Sequence, residues 1–333
     1  DQTLDSHAGV EFYPGILCRG FVNAHCHSEL SYLRGAIPQG VGYSGFAAAM
    51  ARVRGNFSEQ ERTEALIAAD REMWQGGVDF CADIVNDHSS FEVKSNSAIH
   101  YHSFAEVFGL KQSNLERCKE IVNQHPNTTL TPHSTYSVQQ SDFEAVCNSK
   151  APLLSIHFKE SLGEEQLYQN AGALAEWYQS VGFECDFLNF NSPAERIVKS
   201  IPKNQSVIFV HNSYLTEDDI NLIMSHFTAP VYWVLCPRSN RYISGSITDA
   251  AQLLIKHGLN ILIGTDSLAS NSSLSIIEEL KCFSDIPLHT LLSWATTNGY
   301  AAFGRKPRGW INIVGADLEN MLITEQTEVK RVL

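Results

Sequence analysis

Short apolar runs alternate along this chain with longer stretches whose apolar residues recur at helical spacing. Eight of the runs read as strands: "GFVNAHCH" (20–27), "VDFCADIV" (78–85), "IHYHSFAEVF" (99–108), "TTLTPHST" (128–135), "LLSIHFKE" (153–160), "SVIFVHNS" (206–213), "PVYWVLCP" (230–237) and "NILIGTDS" (260–267). Between them, 58–75, 113–124, 163–179, 216–227, 246–257 and 273–283 read as helices. Thr216 suits an N-cap, because Glu217, Asp218 and Asp219 then fill the first turn, where negative charge favours the helix dipole. Gly258 reads as a stop signal just past another helix.

Strands that alternate with helices of this length pair in parallel through right-handed crossovers. The expected class is therefore α/β, with eight units closing into a (β/α)8 TIM-type barrel; a doubly wound open sheet is the structural alternative. The ends differ from this series. Residues 1–19 and 308–333 carry short apolar pieces ("VEFYPGILC", "GWINIVGADLENMLIT") that read as a small β-rich side sheet built from both termini, flanking a barrel unit over 20–307.

Composition narrows the function classes. A net charge of −13 argues against nucleic acid or an anionic membrane surface as the main partner, but leaves room for a small heterocycle, which needs a pocket and not a field. No apolar run approaches the length that spans a bilayer, and the start of the chain lacks a secretory pattern. The eight cysteines are scattered with no Cys-x-x-Cys pair, the usage expected of reduced thiols in a cytoplasmic protein. No Gly-x-Gly-x-x-Gly follows the first strand, which rejects a dinucleotide-binding oxidoreductase.

The polar residues fall where parallel α/β sheets place their ligand sites, at the carboxyl ends of strands. His25 and His27, Glu106, His133, His157 with Glu160, His211 and Asp266 close successive apolar runs. A single histidine there is usually structural; five runs ending alike in a histidine or aspartate point to one site. His25 and His27 lie two apart, so on a strand they share a face and can converge on a metal, with Cys26 facing the other way as packing and thiolate ligation left open. Glu160 sits just past His157, placed for general acid–base work above a metal-bound water. An aspartate ending a buried strand, as Asp266 does, suffers a large desolvation penalty unless paired or metal-bound.

"GFVNAHCH", "HFKES", "VHNSY", "CPRSN" and "GTDSLASN", in this order, resemble the amidohydrolase superfamily, and more narrowly its mononuclear deaminase and chlorohydrolase branch. The resemblance runs from about residue 14 to 325 and implies one divalent metal held by His25, His27, His157 and Asp266, with Glu160 as proton shuttle and His211 orienting water and substrate. The segment "TTLTPHSTYSV" has no lysine of the binuclear type; its His133 resembles the residue that contacts substrate in adenosine-type deaminases, and Glu106 joins it as a candidate substrate contact. Zn²⁺ suits three imidazoles and a carboxylate, and Fe²⁺ fits the same ligands.

The implied reaction is hydrolytic deamination of an aminopurine nucleoside or related amino-heterocycle, with Glu160, His211 and Asp266 moving protons. The alternatives are a chlorohydrolase or cyclic-amide hydrolase of the same superfamily, and more remotely an inactive binding protein on this scaffold. The segment before His25 is shorter than usual for the family, and the loop 28–45 matches no substrate subclass. A homodimer is left open.

Overall fold

The computed structural model describes residues 11–332. Eleven strands run in chain order: β1 (Ile16–Arg19), β2 (Phe21–Cys26), β3 (Val78–Val85), β4 (His100–Val107), β5 (Thr128–Pro132), β6 (Leu153–Phe158), β7 (Ser206–His211), β8 (Val231–Leu235), β9 (Asn260–Ile263), β10 (Trp310–Val314) and β11 (Glu328–Arg331). Strands β2–β3–β4–β5 and β6–β7–β8–β9 form two four-stranded parallel sheets. Parallel bridges Ser134↔His157 and Cys26↔Asp266 join them on both seams, closing the expected (β/α)8 barrel at the level of the candidate site.

Side chains add to the backbone pairing on each seam. Thr131 Oγ1 donates to Ser155 O at 2.6 Å and accepts from Ser155 N at 2.8 Å. On the other seam, Asn23 Nδ2 donates to Thr265 Oγ1 at 2.8 Å and Asn23 Oδ1 accepts from Thr265 N at 3.2 Å. The Thr131 hydroxyl thereby satisfies backbone groups that an open sheet edge would leave unpaired, whereas Thr265 N also donates to His25 O at 3.0 Å.

The barrel interior is packed with Val22, Ala24, Phe80, Ala82, Ile84, Phe104, Ile208, Val210, Val234 and Leu262, a core and not a pore. The opposite strand faces pack with the surrounding helices in a larger cluster that includes Phe21, Cys26, Cys81, Phe209 and Trp233. Strands β1, β10 and β11 form a separate antiparallel sheet in the order β1–β10–β11, so both ends of the chain contribute to it; residues 1–10 and 333 of the expected terminal arms lie outside the described residues.

The helix Glu59–Gln75 starts at Ser58 with a reciprocal capping box to Glu61, and Glu217–His226 starts at Thr216 with the same device to Asp219. Four expectations need correction. The segment 163–179 is two helices, Leu162–Tyr168 and Gly172–Val181, parted where Asn170 and Gly172 both take positive φ. The helix expected from 246 begins only at Ala250, and 273–283 contains the short helix Ile276–Leu280 followed by a 3-10 turn. Strands β5 and β9 end at Pro132 and Ile263, so His133 and Asp266 stand on the turns that leave the barrel and not within the strands. All eight cysteines are free, and no helix among the described residues is long and apolar enough to cross a membrane.

Candidate metal centre

Two local irregularities aim the histidines inward. On β2 the inward set is Val22 and Ala24, so a regular strand would turn His25 to the outer face. The pairing with β3 instead shifts register between Asn23 and Cys26, the extra residue of a β-bulge. That shift brings His25 and His27 to the site while Cys26 packs outward beside Cys81. On β7, Ile208 and Val210 point inward; His211 would follow Phe209 outward, but its backbone adopts φ +75° and brings the ring into the barrel mouth. Asp266 (φ +56°) and Lys159 (φ +52°) also occupy the left-handed region at the ends of their strands. Non-glycine residues held there are strained, and His211, Asn212, Asp266 and Lys159 place part of that strain around this site.

Three imidazoles and one carboxylate converge. His27 Nε2 lies 3.2 Å from His25 Nε2 and 3.2 Å from His157 Nε2, and Asp266 Oδ1 stands 3.8 Å from His25 Nε2 and 3.6 Å from His27 Nε2. Tetrahedral ligands with bonds of about 2.0–2.1 Å stand roughly 3.3 Å apart, so the spacing fits a cage around one small cation. The tautomers fit as well. His157 Nδ1 donates to His133 O at 2.9 Å, which leaves its Nε2 lone pair facing the cage. Burial lowers the affinity of His25, His27 and His157 for a proton, keeping the rings neutral as metal ligands must be.

Asp266 is oriented through its other oxygen. Oδ2 accepts from Ser239 Oγ at 2.5 Å and from Ser270 Oγ at 2.7 Å, leaving Oδ1 to the cage. Burial opposes its ionisation, while the Ser239 and Ser270 hydroxyls, both donating to Oδ2, favour the ionised form. Past His27, Ser28 donates its N–H (2.8 Å) and hydroxyl (2.6 Å) to the buried Asp83, which also pairs with Lys94 at 2.6 Å, fixing the chain where it leaves β2.

The proton-transfer candidates stand beside the cage. Glu160 Oε1 is 3.7 Å from His211 Nε2, and burial raises its carboxyl above the ordinary range against the pull of His211 and the Tyr136 hydroxyl. His211 Nδ1 donates to Asn240 Oδ1 at 2.9 Å, and its buried Nε2 has no hydrogen-bond partner among the described residues. Glu106 Oε1 is likewise buried without a hydrogen-bond partner among the described residues, 3.5 Å from His157 Nδ1, and burial pushes this carboxyl well up. His133 stacks on His157 at 4.4 Å between ring centres and bonds Ser137 Oγ at 2.7 Å; burial lowers its pKa to about 3. All eight sequence-predicted residues thus meet at one barrel mouth.

Sequence reasoning gave no role to Ser239, Asn240, Ser270, Tyr136 or Asp83. The first three lie inside "CPRSN" and "LASN", but nothing in those strings says which hydroxyl or amide turns toward Asp266 or His211. A second cluster, Cys26, Cys81 and Asp83, brings its side-chain atoms within 4.8 Å of one another. Asp83 is already taken by Ser28 and Lys94, and burial pushes the Cys81 thiol up, so this group reads as packing.

Gly264 lets β9 approach β2 at the cage. A Cβ there would lie 2.8 Å from His25 Cβ, 2.9 Å from His25 O and 3.0 Å from His25 N, and backbone atoms yield little. Gly264→Ala should push β2 away from Asp266, lowering metal occupancy and destabilising the fold by about 1–3 kcal/mol. Metal per chain and thermal denaturation measured on the same sample check this; full occupancy with an unchanged Tm would mean that β2 can move freely.

The profile of the amidohydrolase family matches residues 16–312. Among curated relatives, the adenosine deaminase of Helicobacter pylori is 26% identical over 83% of this chain and 70% of its own. The 5-methylthioadenosine/S-adenosylhomocysteine deaminase of Halothermothrix orenii is 26% identical over 86% of this chain and 67% of its own. Among solved structures, Helicobacter pylori aminofutalosine deaminase in complex with methylthio-coformycin superposes with a TM-score of 0.82 at 25% identity, covering 97% of this chain and 88% of that one. With a histidine cluster at the carboxyl ends of a parallel barrel and a family match over nearly its whole length, the chain belongs to the amidohydrolase family.

Proposed function

We propose that this protein hydrolyses the exocyclic C–N bond of an amino-heterocycle, an aminopurine nucleoside or thio-nucleoside foremost, at one divalent metal held by His25, His27, His157 and Asp266. The reaction consumes water and releases ammonia, leaving a carbonyl on the ring. The observation that carries the proposal is the convergence of three neutral imidazoles and Asp266 Oδ1 directly beside a buried Glu160–His211 pair. The names of the relatives support the substrate class. Residues 20–307 would form the hydrolase unit, with the terminal sheet as its support.

Zn²⁺, which this donor set suits best, or Fe²⁺ would supply a Lewis acid that acidifies a coordinated water toward neutral pH. The chain's own residues do the rest. Glu160 takes a proton from water through Oε1 and delivers it to the ring nitrogen beside the reacting carbon. His211, fixed by Asn240, keeps its Nε2 toward the same space and, with Asp266, takes the second proton and passes it to the amino group, which departs as ammonia. Glu106 and His133, on the flank of His157, contact the substrate. Burial favours the protonated form of Glu106, and in that form it donates a hydrogen bond rather than adding a second negative charge.

Metal content by plasma mass spectrometry and ammonia release across a panel of aminopurine nucleosides test this on one sample. About one zinc or iron per chain with ammonia from an aminopurine nucleoside is the expected result. Chloride release from a chlorinated heterocycle without ammonia from any amine would replace deamination by dechlorination. A protein that takes up no metal on reconstitution would overturn the site itself.

A further inference from the structure

The segment that follows β5 carries His133 and Tyr136 into the site but has no helix or strand of its own between residues 133 and 137. Its backbone carbonyls are gripped by side chains from elsewhere. Arg196 Nη1 and the Tyr168 hydroxyl both donate to Thr135 O, each at 2.6 Å. The Tyr178 hydroxyl donates to Tyr136 O at 2.9 Å, and Arg196 Nη2 to Val138 O at 2.8 Å. Arg196 Nε completes the set on Gln140 Oε1 at 2.9 Å.

Arg196, on the helix Pro193–Ser200, is fully buried. Its guanidinium lies over the rings of Phe143 (4.4 Å) and Phe187 (4.1 Å) and forms no ion pair among the described residues. Burying an unpaired charge is expensive, and a methionine or leucine would pack between two rings without that penalty. What the guanidinium alone supplies is a rigid fork that reaches residues 135 and 138 at once, bracketing Tyr136.

Tyr136 in turn holds Glu160. Its hydroxyl donates to Glu160 Oε2 at 2.6 Å, so only Oε1 is left toward His211 and the cage. Glu160 is held at a second point, where its backbone N–H donates to Glu164 Oε2 at 3.2 Å, while Glu164 Oε1 accepts from Thr135 Oγ1 at 2.5 Å. Since Thr135 and Tyr136 are adjacent, the four residues close a ring around the carboxylate.

We propose that Tyr136 is a positioning residue for the proton carrier Glu160, and that the buried Arg196 fork holds Tyr136 in place. This rests on the proposed function, in which Glu160 moves a proton. A carboxylate tied at one oxygen cannot swing away from the reacting water between turnovers, and the other oxygen stays presented to it.

Tyr136→Phe keeps the ring and removes only the donor. It should lower kcat by roughly 10–100-fold, with KM within about twofold and metal content unchanged, the split expected when proton transfer and not binding is disturbed. Arg196→Lys keeps the charge and loses the fork, and should lower kcat similarly. The double variant should be little worse than either single one, because both act on the same contact.

A readout independent of turnover is the ¹³C carboxyl resonance of Glu160, assigned by its loss in Glu160→Gln. The groups facing Glu160 are His211, Asp266, Glu106, Glu164, Tyr43 and Tyr136. Only Tyr136 changes in the variant. Losing a donor that favours the ionised carboxylate should move the Glu160 titration to higher pH. An unmoved titration, or undiminished turnover in Tyr136→Phe, would overturn the proposal. A wild type that deaminates nothing, with the titration shifted as expected, would sink the functional reading while leaving the positioning role intact. If Arg196→Lys does not fold, Tyr136→Phe and the carboxyl titration still decide the Tyr136 step. Faster amide exchange confined to 133–138 in Arg196→Met would support the fork, and unchanged exchange there would refute it.

Discussion

Glu160→Gln should lower turnover about a thousand-fold with metal content and KM close to wild type. Glutamine matches glutamate in shape, and its amide oxygen can still accept the Tyr136 hydroxyl, so the loop after β5 should keep its place. What is lost is the capacity to take a proton and give it back. The pH profile provides a second signature. Burial raises the Glu160 carboxyl above its ordinary range, and only the ionised form can accept a proton. Wild-type activity should therefore fall as pH drops through a value above the usual ~4.3 of a glutamate, and that acidic limb should vanish from the residual activity of Glu160→Gln. Steady-state kinetics from pH 5 to 8, with metal assayed on the same samples, would show it. A variant within tenfold of wild type would remove Glu160 from the chemistry.

Much of this site can be read from spacing because parallel barrels put strand ends together. Once eight strands are recognised, the residues that close them have to meet, whatever their distance along the chain. That argument places His157 and Asp266 in one site although 109 residues part them, 266 less 157. It works less cleanly for His25 and His211. Strict alternation puts both on the outer face, and they reach the site through a bulge and a left-handed residue, neither of which period-two reasoning anticipates.

The residues that orient the cage were less legible still. Ser239 and Asn240 sit in the first turns of the helix Pro237–Ser244, and Arg196 in Pro193–Ser200; both helices are short and were not foreseen. Each packs against the barrel through tertiary contacts, so local propensity says little about it. The clamp on Tyr136 depends on side chains from three separate segments meeting one loop, a relation that leaves no periodic trace.

Removing the metal should lower the Tm of the wild type by several degrees, and Asp266→Ala should show no such response because it no longer retains the ion. Without a cation, the cage brings three imidazole nitrogens within hydrogen-bonding distance with too few protons to satisfy them, since His157 Nδ1 already holds that ring's proton. Asp266 adds a buried carboxylate to the same space. These are groups that folding alone would not assemble, and an ion bound only by the folded state stabilises it in proportion to the logarithm of its concentration over Kd. The apo form of Asp266→Ala should stay within about 1–2 kcal/mol of apo wild type. The substitution removes a charge that is expensive to bury, and Ser239 and Ser270, left without their acceptor, still bond each other at 2.8 Å. Turnover should disappear in the variant together with metal binding. Thermal denaturation of both proteins, with a chelator and after zinc is restored, separates the two contributions. A wild-type Tm indifferent to chelator and to added zinc would mean that His25, His27, His157 and Asp266 hold no ion, and the proposed chemistry would lose its electrophile.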